Sequence, residues 1–368
     1  MTTQKLRVIH CGTGVAGRQA LRAILDHPGL ELAGLLVHGR DGDGRSAAAL
    51  AGLPDGSGGA PGRVAATADF ERIVATPADV VCYMLLLPDA DRIEALLASG
   101  KSVVTTAGLM FPRWRDAATA QRLDRACRRG RSSFYVTGIN PGWVDEVLPL
   151  TMSGLCRRIE RIHIREYADC AQYPAPHILS VMGFGRPESE LREGRLPDLA
   201  VMRDFFTQSL AALAHGLGLE LDRIEESREV VAAPRDYDIK AGHIAKGTIG
   251  GQRWRWQAYA GGAPRIVQET YWITAFDLGE GWPRAGEYDN DTQWRVTLEG
   301  TPSLRCTFEP RYSFLDDTLA RLAPDYNPSG LATAMAAVNS LIPVHRARPG
   351  LLCSADLPLP RCRQPAHA

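Results

Sequence analysis

The sequence predicts an α/β protein: a parallel sheet wound with helices, then an α+β region on a mixed or antiparallel sheet. Three observations carry this. Short apolar runs alternate with amphipathic stretches as far as Gly138. A glycine-rich turn separates the first run from the first helical stretch. After Pro141 the alternation gives way to longer strand patterns.

Leu6–His10 is apolar enough for a buried strand, and Arg18–Leu25 then spaces Ala20, Leu21, Ile24 and Leu25 as one helix face, ended by His27-Pro28-Gly29. Leu30–His38 and the almost purely apolar Val80–Leu87 follow as strands. Between them, residues 39–63 are rich in Gly, Ala, Asp and Ser, an insertion with a short helix at Ser46–Ala51. Asp91–Ala98 and Asp116–Arg129 have helical spacing, with Gly100 and Gly130 after them; Ser102–Thr106 and Ser133–Gly138 are strands. Repeated strand–helix–strand units of this length imply a parallel sheet with helices on both sides.

Beyond Pro141, Arg161–Tyr167 alternates like a half-exposed strand and Ala200–Leu217 is helical. Arg253–Tyr259, Ile266–Phe276 and Gln293–Glu299 are further strands, and Leu331–Leu341 is an alanine-rich helix. The tail from Pro349 has the proline content of irregular chain.

With 368 residues the chain exceeds one ordinary core and suggests two domains. Its 42 basic and 42 acidic residues cancel, which argues against bulk attraction to nucleic acid or an anionic membrane. No apolar run approaches the ~20 residues of a membrane-spanning helix. No signal-peptide pattern precedes the first strand, and the eight cysteines form no C-x-x-C pair, so a reduced, cytoplasmic setting is expected.

The loop after the first strand reads Gly12-Thr13-Gly14-Val15-Ala16-Gly17, a G-x-G-x-x-G between a strand and a helix. In that context the motif binds dinucleotides. Gly12 permits the tight turn, Gly14 lets the backbone approach the diphosphate, and Gly17 permits close helix–sheet packing. The first half is therefore expected to be a Rossmann domain. The second strand ends without an acid at its tip, and His38, Arg40 and Arg45 could surround a 2′-phosphate. This favours NADP, while Asp41, able to reach a ribose, keeps NAD open. Further cofactor contacts are expected from the strand ends at Leu87-Pro88, Thr106 and Asn140. Asn140 could pair with the nicotinamide carboxamide or serve as a turn residue before proline.

Several stretches together carry a resemblance: VIHCGTGVAGRQALRAI, KSVVTTAG, YVTGINPGWVDEVLPL, REYADCAQY, VMGFGRP, ATAMAAVNSLIPV and PGLLCSADLP. In this order they resemble the 2,4-diaminopentanoate dehydrogenase and native amine dehydrogenase family of the dihydrodipicolinate reductase-like superfamily. The resemblance implies a Rossmann domain over residues 1–140, a substrate and dimerisation domain over 141–327, and a segment, 328–368, that returns to the first. It implies a homodimer that moves hydride between a nicotinamide cofactor and a ketone, imine or amine carbon. It matches Gly12, Gly14 and Gly17 to the cofactor fingerprint, and Thr106 and Asn140 to loops beside the nicotinamide. One departure stands out. The family carries a catalytic glutamate shortly after the strand at Ser102–Thr106; here Ala107-Gly108-Leu109-Met110-Phe111-Pro112 holds no acid. An apolar loop cannot accept a proton from ammonium.

Candidate catalytic groups come from the segment after the first strand of the second half. Tyr173 and His177 are candidate proton donors and Glu166 a binding or orienting acid; the same tyrosine and histidine, near prolines, would also suit packing roles. Lys240 and His243 are further polar candidates, with surface positions the plainer reading. No metal is expected, since no H-x-x-x-H occurs. The expected function is an NAD(P)H-dependent oxidoreductase acting on a small-to-medium ketone, imine or amine. The alternatives are an ammonia-independent carbonyl reductase and, from another class, a non-catalytic NADP-binding sensor or scaffold.

Overall fold

The structure, a computed structural model, describes residues 5–363 except 55, 86, 115, 174–175, 197–198, 288–291 and 316–326. The chain divides into two compact units: residues up to Trp143 with those from Leu315 onward, and Val144–Phe314.

The first unit is built on a six-stranded parallel sheet. Its strands β1 (Leu6–Cys11), β2 (Leu30–Leu36), β3 (Val80–Tyr83), β4 (Ser102–Thr105) and β5 (Ser133–Val136) are joined by a short strand, Gly350–Leu351. The order is Gly350–Leu351, β5, β4, β3, β1, β2. The helices Val15–Asp26 and Pro328–Arg346 bury Leu21, Ile24, Ala337 and Leu341 against Val8, Val80 and Val104 on one face. Ala90–Ala98 and Ala117–Gly130 bury Ile93, Leu96 and Leu123 against Ile9, Val81 and Val103 on the other. Both faces are covered, so these strands are apolar without alternation.

Four expectations are corrected here. The β3 run does not extend to Leu87: it ends at Tyr83, where the chain turns beneath the glycine loop and Met84 N–H donates to the Cys11 carbonyl at 2.8 Å. Leu86 lies outside the described residues. Gly130 does not follow its helix but ends it. A Cβ there would meet the Leu97 carbonyl oxygen at 1.9 Å, so glycine serves close packing, while Arg131 takes the left-handed cap at φ 53°. The tail is not wholly irregular, because Gly350–Leu351 pairs with Ser133–Phe134 of β5. The last helix spans Pro328–Arg346 and passes through Pro343. The expected short helix in the insertion is Ala47–Ala51, with Ser46 accepting from the Ala49 amide as N-cap.

The second unit holds a mixed sheet with strands β6 (Arg158–Asp169), β7 (Arg223–Ala232), β10 (Ile249–Ala260), β11 (Ala263–Ile273), β12 (Thr292–Thr301) and β13 (Leu304–Phe308); β8 (Tyr237–Ile239) and β9 (Gly242–Ile244) form a separate hairpin. The order is β13, β12, β6, β11, β10, β7; among the described residues only β6 and β11 pair in parallel. The helix Ala200–Gly216 covers one face, where Phe206 stacks on Trp256 at 4.4 Å. That face carries the buried Trp254, Trp256 and Trp272, with Trp254 stacked on Trp256 at 5.8 Å. No helix among the described residues is long and apolar enough to cross a membrane.

Candidate active site

The glycine loop sits where β1 ends. Gly12 N–H donates to the Leu36 carbonyl at 3.0 Å, and its φ of 96° is open to glycine alone at low cost. A Cβ on Gly12 would lie 2.7 Å from the Met84 carbonyl oxygen, and one on Gly17 would lie 2.4 Å from the Gly12 carbonyl oxygen. Both glycines are required by close backbone approach. Gly14 differs: its φ is −66°, and a Cβ there would meet nothing within 4 Å. The space in front of Gly14 is open, and Val15 beside it is 68% exposed. Gly14 is the N-cap of Val15–Asp26 and offers no side chain to the first-turn N–H groups, and that turn carries no acid. Unclaimed donors and the positive end of the helix dipole therefore face a vacant volume, which fits a diphosphate. Thr13 and Ala16 flank it, half-buried.

Beneath the loop, His10 is fully buried, and neither ring nitrogen has a hydrogen-bond partner. Burial lowers its pKa to about 4, with smaller opposing contributions from the Gly12 and Gly17 backbone, so the ring under the glycine loop is neutral at pH 7.

The remaining cofactor candidates occupy the carboxyl ends of the parallel strands. Beyond β2, His38, Asp41 and Arg45 are exposed; the Arg40 side chain lies outside what the structure describes. Beyond β3, Leu87 is exposed and Pro88 half-buried. Beyond β4, the Thr106 hydroxyl donates to Met84 Sδ at 3.5 Å. Beyond β5, Asn140 is half-buried in a turn that Gly142 allows, since at φ 126° a Cβ would press on the Thr137 backbone at 3.2 Å. The acid-free loop after β4 is an apolar plug. Ala107 and Met110 are buried, and Leu109 packs on the core at φ 58°.

In the second unit, Glu166 points from β6 into the face covered by Ala200–Gly216, 9% exposed. Its register neighbours are Thr270 on β11 and Trp294 on β12. Gln268 stands two residues before Thr270 on the same strand face. Thr270 Oγ1, Trp294 Nε1 and both amide atoms of Gln268 are buried without a hydrogen-bond partner. Each such atom costs about 1–3 kcal/mol of stability, so a run of them needs a reason other than folding. Sequence reasoning missed these three residues. A neutral polar residue in an alternating strand looks solvent-facing until a helix is seen to cover it. Two more acids are buried nearby in sequence to the unit's start: Asp145, and Glu146, whose Oε1 accepts from the Ser209 hydroxyl at 2.6 Å.

The proposed donors lie elsewhere in this unit. Tyr173 follows the Cys170–Gln172 turn and is 45% exposed; partial burial and the Cys170 thiol push its phenol up, which keeps it protonated. His177 is exposed in the helix Pro176–Met182. The structure thus gives buried Glu166 a different environment from Tyr173 and His177. Lys240 is exposed, and His243 pairs with Asp238 at 2.8 Å on the surface hairpin. On the opposite sheet face, Glu269 is 1% exposed among Arg255, Arg165 and His163, at 2.5, 3.1 and 3.3 Å. Burial raises its pKa, but the hydrogen bonds from His163 and Arg255 and the charge of Arg255 outweigh this and bring it to about 2. No group of three or more His, Cys, Asp or Glu is placed to hold a metal among the described residues.

Residues 143–274 match the family profile described as the 2,4-diaminopentanoate dehydrogenase C-terminal domain. An amine dehydrogenase of Streptomyces virginiae is 29% identical over 357 residues, 95% of each chain. A 2,4-diaminopentanoate dehydrogenase of Acetoanaerobium sticklandii is 24% identical over 97% of this chain and 95% of its own. Among solved structures, an amine dehydrogenase from Mycobacterium smegmatis shares the fold with a TM-score of 0.74, covering 98% of both chains at 19% identity. A probable dehydrogenase from Thermotoga maritima has a TM-score of 0.54 at 14% identity, over 95% of this chain and 92% of its own.

Proposed function

We propose that the chain, which is similar to the 2,4-diaminopentanoate dehydrogenase and amine dehydrogenase relatives above, is an NAD(P)-dependent oxidoreductase that moves hydride between NADPH and a small-to-medium ketone, imine or amine. The observation that carries the cofactor half is the contrast among the three loop glycines. Gly12 and Gly17 are filled by neighbouring backbone, whereas Gly14 opens onto an uncapped helix start. The bound nicotinamide would supply the hydride.

The protein's own residues bind and orient. Thr13, Gly14, Val15, Ala16 and Gly17 would hold the diphosphate, with Leu87, Pro88, Thr106 and Asn140 on the nicotinamide side. His38 and Arg40 would meet a 2′-phosphate, which is the ground for preferring NADP to NAD. On the substrate side Glu166 would hold the polar group of the substrate. Tyr173 and His177 are the proposed donors for a proton delivered to a carbonyl oxygen. The proposed domains are residues 1–140 with 328–368, and 141–327. The proposed assembly is a homodimer, and the proposed compartment is the cytoplasm.

A second reading, carbonyl reduction without ammonia, is favoured by one observation: the loop from Ala107 to Pro112 is apolar and packed into the core. The test is loss of NADPH absorbance with a panel of ketones and aldehydes, with and without high ammonium. Consumption that requires ammonium supports amine dehydrogenase chemistry. Consumption without it supports the second reading, and none in either arm contradicts both.

A further inference from the structure

The helix-covered face of the second sheet holds more polar groups than its fold uses. Thr270 and Gln268 project from central strand β11 and are wholly buried, and Trp294 is 2% exposed on β12. Thr270, Glu166 and Trp294 occupy one row of the sheet, at directly paired positions on three adjacent strands. Trp254 is paired with Thr270 on the other side and closes the row with an aromatic wall. Four of the polar atoms, from three residues in neighbouring positions, lack partners. One orphan is a packing accident; four side by side form a set of donors and acceptors aimed at something absent.

The set has a definite chemistry. Glu166 brings a buried carboxylate, which accepts hydrogen bonds. Thr270 Oγ1 and Gln268 Oε1 are unclaimed acceptors. Acceptors on adjacent strands of one sheet face match the N–H groups of an ammonium ion. The Trp294 indole N–H and the Gln268 amide N–H are unclaimed donors that can meet the carboxylate or a substrate oxygen. An ammonium ion is about the size of a water molecule, so a site for it needs no wide cleft. We infer that Glu166, Gln268, Thr270 and Trp294 form an ammonium subsite within the second unit, which receives free ammonium or the primary ammonium group of a substrate. This deepens the proposed function and rests on it for the word substrate. It also places a carboxylate for nitrogen binding on β6 instead of in the acid-free loop after β4.

The test reads binding apart from turnover. The chain has seven tryptophans, and the Trp294→Phe variant identifies the Trp294 indole signal in a proton–nitrogen correlation spectrum. The full-length protein is titrated with methylammonium chloride and, as a control, with tetramethylammonium chloride, which has no N–H donors. The subsite predicts that the Trp294 signal moves with methylammonium only, and that Thr270→Val, with its other six indole signals unchanged, loses the movement. No movement, or equal movement in both salts, overturns the subsite and leaves a structural role for bound water. In steady-state assays, Thr270→Val and Gln268→Met should raise KM for ammonium at least tenfold with NADPH affinity unchanged; an unchanged KM in both variants overturns it. If the wild type binds methylammonium but never consumes NADPH, the oxidoreductase reading fails while the subsite stands. If it turns over with ammonium but the Trp294 signal is silent, the subsite fails alone.

Discussion

Gly14→Ala and Gly17→Ala add the same methyl group three residues apart, yet the structure assigns them opposite consequences. At Gly14 the backbone is already in a region any residue adopts, φ −66°, and the new Cβ meets nothing within 4 Å. The melting temperature without cofactor should therefore stay within about 1 °C of wild type. In the proposed cofactor site the methyl would instead occupy the volume through which a diphosphate would reach the first-turn N–H groups. Losing one hydrogen bond to a charged group costs about 1.5–3 kcal/mol, which raises Kd for NADPH roughly tenfold to a hundredfold. At Gly17 the new Cβ lies 2.4 Å from a backbone oxygen, about 1 Å inside ordinary contact, and backbone cannot rotate away as a side chain can. Overpacking of this kind costs about 1–3 kcal/mol, a drop of roughly 2–12 °C. The assays are thermal unfolding without cofactor and a fluorescence titration with NADPH. The reasoning is refuted if Gly14→Ala binds NADPH like wild type, or if it, and not Gly17→Ala, loses apo stability.

Three further predictions follow from the charged and titratable groups. His10 has its folded pKa lowered from 6.5 to about 4. Its neutral form is undisturbed above pH 6.5, and stability is lost as pH falls from there through about 4, by up to about 3 kcal/mol; His10→Leu should flatten that part of a urea-denaturation pH profile, and an unchanged slope would contradict the assignment. Glu269, lowered from 4.5 to about 2, contributes stability that is full above 4.5 and lost as pH falls toward 2. Glu269→Gln leaves Arg165, Arg255 and His163 facing one another; because the two arginines are 41% and 34% exposed, the cost should be about 2 kcal/mol, below the range for wholly buried pairs, as read by denaturant midpoint. Arg40→Ala should raise KM for NADPH far more than KM for NADH, and an equal effect on both would remove the 2′-phosphate assignment.

The strand–glycine loop–helix unit was legible in the sequence because its signal is local. A strand, three glycines at fixed spacing and a helix lie within one stretch, and the physical demand on Gly12 and Gly17 comes from atoms nearby in the fold. What was illegible needed distant partners. The apolar run from Val80 gave no sign that the strand stops at Tyr83, because the stop is made by Cys11, Gly12 and Met84 meeting across β1 and β3. Gly130 resembled a helix stop, but the carbonyl of Leu97, from another helix, is what excludes a side chain there. The strand at Gly350–Leu351 is two residues long and has no periodicity to detect. In the second unit, Glu166 was noticed as an acid beside Tyr173 and His177, and the structure places it within the strand β6 and not after it. Gln268, Thr270 and Trp294 were not noticed, since burial of a neutral polar residue depends on which face the helix Ala200–Gly216 covers. Tyr173 and His177 attracted notice by residue type, and the structure leaves them near or at the surface.

The central claim is that this chain transfers hydride from NADPH to the carbon of a carbonyl or imine. The most direct measurement uses NADPH deuterated at the transferring position, with a ketone panel and ammonium, and product analysis by mass spectrometry. The account predicts an amine or alcohol carrying a single deuterium at the former carbonyl carbon, and loss of that product in Gly14→Ala at limiting NADPH. Product without deuterium, or no product from any substrate while NADPH binds normally, would contradict it.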